Sequence, residues 1–463
     1  MKGNKNKPRR RNLGASVSWL MARPALVLWS SIDGSALQAS ELETIHHFVV
    51  PTPSSAPSGG TYPEVGLAVG SDGSFFGVTS SGGINDTGAV FKLGTDGTFT
   101  SLYSFPTNVA SPRGTLRLAA DGNFYGTTAG GLQRPGSPDY GSVFRIASNG
   151  VVTPLLTFRW TNGAYPEGGL TIDSTGSLLG VTFGGGSHNY GTVFRMTSAG
   201  AVTTIGTFNG TNGMAPQGPL VLGSDGAFYG TTWGGGANGN GTMFRVNSSG
   251  PITTLATFSG TNGAHPNGGL AVGSDGTFYG TTALGGASGL GTIFAATQSG
   301  VVTRLVSFAG SNGAYPTASL VLGRDGNLYG NTTSGGSNNR GTVFRVSRSG
   351  SLTTLASLTG SQGTAPEGEL LLAPDGNLYG TTVQGGTGDG GTLFRLMLNP
   401  AHQTIAISNG LIILSWPSTL TDYTLESTTE LSGADWSAVS GVVSNRVVLL
   451  PTAAARFFRL RSP

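Results

Sequence analysis

The sequence predicts an all-β fold: a seven-bladed β-propeller closed by an N-terminal strand and followed by a small β-sandwich-like module. The first observation is a pattern that recurs seven times with a period that settles at 50 residues, a spacing typical of propellers and solenoids. The second is an Asp-Gly hairpin signal between short apolar runs in six of the seven units. The third is that the last unit lacks its final strand, and a matching segment precedes the first unit.

Each unit reads as four short strands. In the fourth unit, Leu220–Leu222 and Phe228–Thr232 flank the Asp225-Gly226 turn, and a Gly-rich loop leads to Thr242–Val246. The last run, Ile252–Phe258, alternates apolar residues with threonine, as a half-buried strand does. The chain has 79 glycines and only 10% charged residues, but the glycines are periodic and therefore mark turns rather than low complexity. Four strands in about 50 residues predict one propeller blade.

The two ends of the repeat region predict a closed ring. The seventh unit runs from Leu370 to Leu398 and stops after its third strand, whereas Glu43–Phe48 has the pattern of the missing fourth strand. An N-terminal strand that completes the last blade removes exposed sheet edges, and a linear solenoid has no reason to divide one unit between its termini. The third unit departs from the pattern, with Thr175-Gly176 in place of Asp-Gly and Leu179 in place of the aromatic residue.

These motifs resemble a known repeat family. The runs Gly223–Thr232 and Gly241–Arg245 are similar to the Gloeo-Verruco tandem repeat of secreted bacterial proteins, and the resemblance covers roughly residues 42–398. The run Asp325–Gly330 is also similar to regulator-type propeller repeats. The family resemblance implies export and a variable C-terminal sorting or anchoring module of the choice-of-anchor type. It supplies no catalytic residues.

Composition divides the chain into an export signal-like segment (1–39), the propeller (40–398) and a C-terminal module (399–463). Seven of the 25 Lys and Arg residues precede Asp33, the first acid, so the rest of the chain has no basic stripe for nucleic acid. The basic start, the apolar stretch Leu13–Leu28 and the small residues Ala36 and Ala39 predict an export signal with cleavage near one of these alanines. The run Arg10–Leu13 loosely resembles a twin-arginine signal. A basic tail without structure is the alternative.

The C-terminal module is predicted to be a short sandwich. Its runs Leu414–Trp416, Tyr423–Glu426 and Arg456–Arg461 are similar to parts of a fibronectin type III-like domain, although 399–463 is short for that fold. A spacer role and surface attachment both stay open. No stretch outside the N-terminal segment has the roughly 20 apolar residues of a membrane span. With no cysteine the chain has no disulfide and no thiolate metal site.

Candidate acids and metal ligands are few. The five histidines show no metal-ligand spacing, and no cofactor or metal is predicted; they are His46, His47, His188, His265 and His402. Glu64, Glu167 and Glu367 follow the repeat proline and are predicted to ring the mouth of the channel, where carboxylate oxygens would suit Ca²⁺. The equivalent positions of the other blades interrupt this ring with Arg113, Gln217, Asn267 and Thr317.

Aromatic residues that break the repeat are the candidate ligand-binding set. Trp160 stands where four other blades have glycine, and Trp233 stands where most blades have a small or aliphatic residue. Further aromatic or imidazole side chains fall in the same sector, blades two to four: Tyr140, Tyr165, Phe183, His188 and Tyr190. Departures from a local rule are expected at functional positions, and exposed rings beside amides suit carbohydrate or peptide. The alternative is that the rings only shield the loop face.

These observations predict an exported, monomeric, non-enzymatic binding or scaffold propeller located outside the cell, at its surface or in the periplasm. Glycan or extracellular and cell-envelope protein is the expected partner, through the long-loop face, because no catalytic constellation is visible in the sequence. One alternative is a polysaccharide-acting hydrolase or lyase centred on Glu64, Glu167 and Glu367. Another is a purely structural surface protein.

Overall fold

The structure is a computed structural model, and it divides into two compact units, Ala39–Leu398 and Met1–Gln38 together with Asn399–Pro463. The residues that it describes are 27–28, 41–50, 59–106, 111–130, 140–147, 149–247, 250–398, 404–408, 411–415, 424–428, 437–442, 446–449 and 457–461. All regular secondary structure in these residues is β-strand.

The unit Ala39–Leu398 is a seven-bladed propeller, as predicted, built from seven four-stranded antiparallel sheets. The inner strands are Ala68–Val69, Arg117–Leu118, Thr171–Ile172, Val221–Leu222, Ala271–Val272, Val321–Leu322 and Leu371–Leu372. The second strands are Phe75–Thr79, Phe124–Thr128, Leu178–Thr182, Phe228–Thr232, Phe278–Thr282, Leu328–Thr332 and Leu378–Thr382. The third strands are Ala89–Leu93, Ser142–Ile146, Thr192–Met196, Thr242–Val246, Thr292–Ala296, Thr342–Val346 and Asp389–Met397. The outer strands are Phe99–Ser104, Val152–Thr157, Val202–Thr207, Thr253–Thr257, Val302–Ser307, Leu352–Ser357 and Glu41–Val49.

The strand Glu41–Val49 closes the ring, which confirms the prediction. It pairs antiparallel with Asp389–Met397 of blade seven, with Thr44 opposite Phe394 and two register shifts in the strand. Its Phe48 side chain is 1% exposed and lies 5.3 Å, between ring centroids, from Phe91 of blade one. The neighbouring His46 ring stacks on Phe99 of blade one at 3.8 Å, and burial, with the nearby His47, lowers the pKa of His46 to about 4.

The closing contact between blades seven and one repeats the contacts of the other seams. The Thr381 hydroxyl donates to the carbonyl of Val65 at 3.0 Å, just as Thr281 donates to the carbonyl of Ala318 at 2.9 Å. These bonds join the second strand of one blade to the inner segment of the next. The ring is therefore continuous at its centre as well as at its rim.

The core explains why each blade has a glycine on its second strand. Gly230 lies opposite Phe244 on the third strand, and a Cβ atom at Gly230 would lie 2.7 Å from the Phe244 ring. The same Gly–Phe pairing occurs in all seven blades. Phe244 in turn lies 5.0 Å from Phe208 of the preceding blade, so the ring also packs across the seam. Glycine makes the room that this phenylalanine occupies.

The hairpin between the inner and second strands is held by its aspartate. In blade four, the Asp225 carboxylate accepts from the Ala227 amide at 3.2 Å, from the Tyr229 hydroxyl at 3.1 Å and from the Arg245 guanidinium at 2.8 Å. Blade three, which lacks Asp-Gly, keeps an equivalent anchor, because Asp173 accepts from Arg195 at 2.8 Å.

The C-terminal unit contains two sheets. One orders Val27–Leu28, Phe457–Arg461, Thr424–Thr428 and Ser437–Ala438, with the first pair parallel. The other orders Thr404–Ser408, Leu411–Ser415 and Arg446–Leu449. The predicted sandwich stays a prediction, as does cleavage near Ala36 or Ala39, because both alanines lie outside the described residues. Within the described residues, no helix has the length and apolar character needed to cross a membrane.

Candidate functional site

The inner segments of the seven blades surround a cavity of about 340 Å³ at the mouth of the channel. The residue that follows the repeat proline lines this cavity in every blade: Glu64, Arg113, Glu167, Gln217, Asn267, Thr317 and Glu367. The structure thus brings together the three glutamates that the sequence placed at the mouth, although they lie in blades one, three and seven.

Directly after these positions, five of the seven blades have a glycine, which lets the blades converge. A Cβ atom at Gly218 would lie 2.5 Å from the carbonyl carbon of Gly268 in the next blade, and one at Gly368 would lie 2.6 Å from that of Val65. No side chain fits there without movement of the backbone. The inner segments therefore pack backbone against backbone, which leaves the preceding side chains to line the cavity.

One side of the mouth is an ion pair. The Arg113 Nη1 atom contacts the Glu64 Oε2 atom, and the Ser80 hydroxyl donates to Glu64 Oε1 at 2.8 Å. Both carboxylate oxygens of Glu64 are thereby engaged, and its side chain is 18% exposed. The sequence treated Arg113 as an interruption of an acidic ring, whereas in the structure it is the partner of one of the acids.

The other two glutamates have raised pKa values, with burial as the largest cause. Burial raises the pKa of the Glu167 carboxyl; a hydrogen bond of 3.0 Å from Gln217 Nε2 and the charge of Arg113 oppose this, and the charge of Glu64 adds to it. Burial also raises the pKa of Glu367, again with a contribution from Glu64 and opposition from Arg113. Glu367 faces the solvent of the cavity, but the surrounding ring of protein reduces the hydration of its carboxyl.

Two further polar atoms at the mouth have unused bonding capacity. Gln217 Oε1 and Thr317 Oγ1 are buried and have no hydrogen-bond partner among the described residues. Glu369, which the sequence analysis missed, lines the same cavity. The signal for it was available, because the equivalent positions of the other blades are Gly, Thr, Pro or Ser. No group of three or more His, Asp or Glu side chains in the described part of the chain is arranged to hold a metal ion.

Three of the predicted aromatic residues form one cluster. Tyr140 lies 5.3 Å from Trp160 and 6.3 Å from Tyr165, and Trp160 lies 6.1 Å from Tyr165, all between ring centroids. The rings meet edge to face, and Trp160 is 37% exposed. The indole Nε1–H donates to the Asn189 side-chain oxygen. We call these three residues the tryptophan cluster.

The other predicted residues do not join this cluster through ring contacts. Phe183 and Tyr190 are exposed, and His188 contacts the neighbouring Ser187 hydroxyl at 2.9 Å. Trp233 stacks on His265 of the next blade with 4.7 Å between ring centroids. The predicted set therefore divides into the tryptophan cluster at blades two and three, a tryptophan–histidine pair at blades four and five, and three exposed side chains.

A collar of residues with positive φ surrounds the mouth. The residue before the repeat proline has a φ of 53° to 58° in every blade: Tyr62, Ser111, Tyr165, Ala215, His265, Tyr315 and Ala365. Its N–H donates to a loop carbonyl of the preceding blade, as Tyr165 does to Tyr140 at 2.7 Å. This bond holds a conformation that non-glycine residues seldom adopt. Aromatic residues occupy four of the seven positions, directly beside the polar mouth.

Comparison with known families decides where the chain belongs. The model of the Gloeobacter/Verrucomicrobia repeat matches residues 35–244 and, in a second overlapping copy, residues 215–416. The chain belongs to the Gloeobacter/Verrucomicrobia repeat family. This confirms the resemblance seen in the sequence. Comparison with curated protein sequences finds no significant match.

Solved propellers share the architecture at low identity. A gluconolactonase from Xanthomonas campestris is 18% identical, with a TM-score of 0.41 and coverage of 67% of this chain and 89% of its own. A periplasmic gluconolactonase from Pseudomonas aeruginosa is 17% identical, with a TM-score of 0.46 and coverage of 72% and 95%. A lectin from Burkholderia pseudomallei is 9% identical, with a TM-score of 0.50 and coverage of 82% and 99%. At these identities the likeness shows the fold alone.

Two predictions about activity are wrong and are corrected here: that the chain is not an enzyme, and that it is a non-enzymatic binding or scaffold protein. The solved propellers to which this chain is similar include two gluconolactonases. The sequence analysis placed Glu64, Glu167 and Glu367 at the mouth and gave them a role only in the enzymatic alternative. The similarity to those enzymes does not assign their substrates or reactions to this chain.

Proposed function

We propose that this repeat propeller is a hydrolase or lyase that acts on polysaccharide at the channel mouth. The observation that carries the proposal is the contrast between the acids of one cavity. Glu64 is held as an ion-paired carboxylate by Arg113, whereas Glu167 and Glu367 have raised pKa values. Carboxyl groups whose environments favour different protonation states are the usual basis of acid–base catalysis by enzymes.

The chemistry follows from these states. A protonated Glu167 or Glu367 donates its proton to the glycosidic oxygen as the bond to the sugar carbon breaks. In a hydrolase, a carboxylate of the mouth accepts a proton from the attacking water, whose oxygen bonds to that carbon. In a lyase, the carboxylate accepts a proton from carbon, and a carbon–carbon double bond forms as the oxygen leaves. Protons balance in both cases, because one acid gives a proton and one base takes one.

The polar lining suits a substrate rich in hydroxyl groups. Gln217 Oε1 and Thr317 Oγ1 lack partners among the described residues, and a buried polar atom without a partner is costly unless a ligand satisfies it. Sugar hydroxyls would donate to both atoms. The aromatic residues of the collar, such as Tyr165 and Tyr315, would offer ring faces to the apolar faces of sugar rings.

The proposal includes export, since a polysaccharide substrate lies outside the cytoplasm. The basic and apolar pattern before residue 39 supports it, as does the family resemblance to secreted proteins. We propose that the exported protein works as a monomer, without nucleic acid or an integral membrane span. N-terminal sequencing of the protein recovered from the medium or periplasm tests the export; recovery of intact Met1 in the cytoplasm alone contradicts it.

The test of activity uses the full chain with a panel of neutral and acidic polysaccharides. New reducing ends report either reaction, and ultraviolet absorbance of an unsaturated product identifies a lyase. We expect Glu167→Gln and Glu367→Gln to lower kcat by about 10²- to 10⁴-fold, the range for loss of a general acid or base. Asp96→Asn, in an exposed turn of blade one, is the matched control. Activity that survives both glutamine variants, or no activity on any member of the panel, overturns the proposal.

A further inference from the structure

A second cavity adjoins the mouth. It has a volume of about 410 Å³, and Thr115 and Glu369 line both cavities. Its walls come from the inner strands of blades one, two, six and seven and are mainly aliphatic, with Leu118, Val321 and Leu371 among them. The channel therefore changes from a polar mouth to a mainly aliphatic lumen, whose charged lining residues are Arg117 and Glu369.

Arg117 is an exception within its own repeat. It pairs with Tyr125 of the second strand in the same register as Val321 with Tyr329 and Leu371 with Tyr379. The equivalent positions of the other six blades carry Ala, Thr, Val or Leu. Six blades fold without a charge at this position, so the architecture does not require one.

The contacts of Arg117 leave its charge available. Its Nε–H donates to the carbonyl of Leu170 in the next blade at 3.1 Å, which fixes the direction of the guanidinium group. No ion pair within the described residues involves Arg117. Hydrogen bonds in which the donor and the acceptor are both charged are stronger than those between neutral groups. A planar donor on a fixed stem is suited to bidentate contact with a carboxylate.

We propose that Arg117 binds the carboxylate of the substrate, so that the substrate is an acidic sugar polymer built from uronic acid units. This rests on the proposed function and names its substrate class. The carboxylate contacts the guanidinium in the lumen, while the hydroxyls of the same sugar reach Thr115 and Glu369, where the two cavities join. Glu369 disfavours a carboxylate at that junction, so the carboxylate of the sugar is directed towards Arg117. The next sugar along the chain then lies at the acids of the mouth.

The test measures binding without turnover. Isothermal titration of the full chain with galacturonate and with galactose compares two monosaccharides that differ in the carboxylate. We expect galacturonate to bind about 10- to 100-fold more tightly, the ratio that corresponds to one charge-assisted hydrogen-bonded contact. Arg117→Gln removes this preference and leaves the affinity for galactose unchanged. Arg304→Gln is the control, because Arg304 also donates to a backbone carbonyl but lies on the outer strand of blade five.

A variant that keeps the charge guards against a folding artefact. Arg117→Lys retains part of the preference if the charge recognises the carboxylate, and thermal unfolding shows whether each variant is folded. Equal binding of the two sugars by the wild-type protein, or a preference that survives Arg117→Gln, overturns the inference. The two proposals can fail separately. A protein that is inactive on polysaccharide but prefers galacturonate contradicts the proposed function and supports the lumen site. A protein that is active but shows no preference supports the catalytic mouth and contradicts the lumen site.

Discussion

Two regions of the same repeat differ in how much their amino acids vary from blade to blade. One is the pair formed by the second and third strands, and the other is the set of seven positions at the channel mouth. Glycine lies opposite phenylalanine in all seven blades, whereas the mouth carries Glu, Arg, Gln, Asn and Thr. The Gly–Phe pair is fixed on both sides, because a Cβ atom at Gly230 would strike the Phe244 ring. At the mouth, the close packing is made by the backbone of the next residue, which is glycine in five of the seven blades. The side chains in front of it are free to vary, and chemistry can arise there without loss of the fold.

The largest expected effect comes from removing the strand that completes blade seven. Deletion of residues 42–48 exposes the edge of Asp389–Met397 and removes Phe48, which is 1% exposed, from the seam with blade one. We expect the shortened protein to aggregate or to lose its folded state. Size-exclusion chromatography measures the aggregation, and circular dichroism measures the loss of folded structure. Deletion of residues 1–38, outside the propeller unit, is the control. A monomer without residues 42–48 that melts like the parent protein contradicts ring closure by this strand.

The next effect contrasts a repeated position with a variable one. Phe244→Ala empties a site that is 0% exposed and is expected to lower the free energy of unfolding by about 3–5 kcal/mol. Thr317→Ala at the mouth is expected to change it by no more than about 0.5 kcal/mol, since its hydroxyl has no partner among the described residues. Urea denaturation measures both. A similar loss in the two variants removes the distinction between core and mouth.

The mouth acids predict a pH dependence with a defined sign. The pKa of Glu167 and that of Glu367 are raised above the ordinary value of 4.5, so their contribution to stability is present below that pH and is lost as pH rises through the raised values. The double variant Glu167→Gln, Glu367→Gln should therefore have the same melting temperature as the wild type in acid and a higher melting temperature at neutral pH. Asp96→Asn is the control and should change stability in the opposite direction, because hydrogen bonds from Thr98 lower the pKa of Asp96. A double variant that melts lower than the wild type at neutral pH contradicts the raised values.

The smallest expected effect concerns Trp160, which lies two residues after the buried Phe158. Trp160 is 37% exposed, and four other blades have glycine at its position, so Trp160→Ala should change the free energy of unfolding by no more than about 0.5 kcal/mol. Phe158, which is 0% exposed and packs 5.0 Å from Phe194, is the control, and Phe158→Ala should cost about 3–5 kcal/mol. A large decrease in the free energy of unfolding for Trp160→Ala would show that the tryptophan cluster stabilises the fold. It would contradict the hypothesis that the cluster is present to bind a ligand.

The sequence predicted the blade count, the strand order and the closing strand, because each rests on a signal that recurs locally. It also placed Glu64, Glu167 and Glu367 at the mouth by repeat position alone. It did not predict the ion pair of Arg113 with Glu64 or the stacking of Trp233 on His265, because these contacts join different blades. Spacing along the chain does not report the distance between side chains of neighbouring blades.

The collar was missed for a different reason. A residue before proline is expected to be extended, so Tyr165 and His265 carried no sign of a positive φ. Each of these N–H groups donates to the preceding blade, and such a bond exists only once the two neighbouring blades have packed together. The raised pKa values of Glu167 and Glu367 share this origin, because burial at the mouth is a property of the assembled ring.

The split blade also has a consequence for the order in which the molecule is made. Glu43 and its partner Arg395 are separated by 352 residues, so the outer strand of blade seven has no partner until nearly the whole propeller has been synthesised. Contacts this distant along the chain form slowly, because a long loop must close before they are made. Completion of the ring is therefore a late event in biosynthesis.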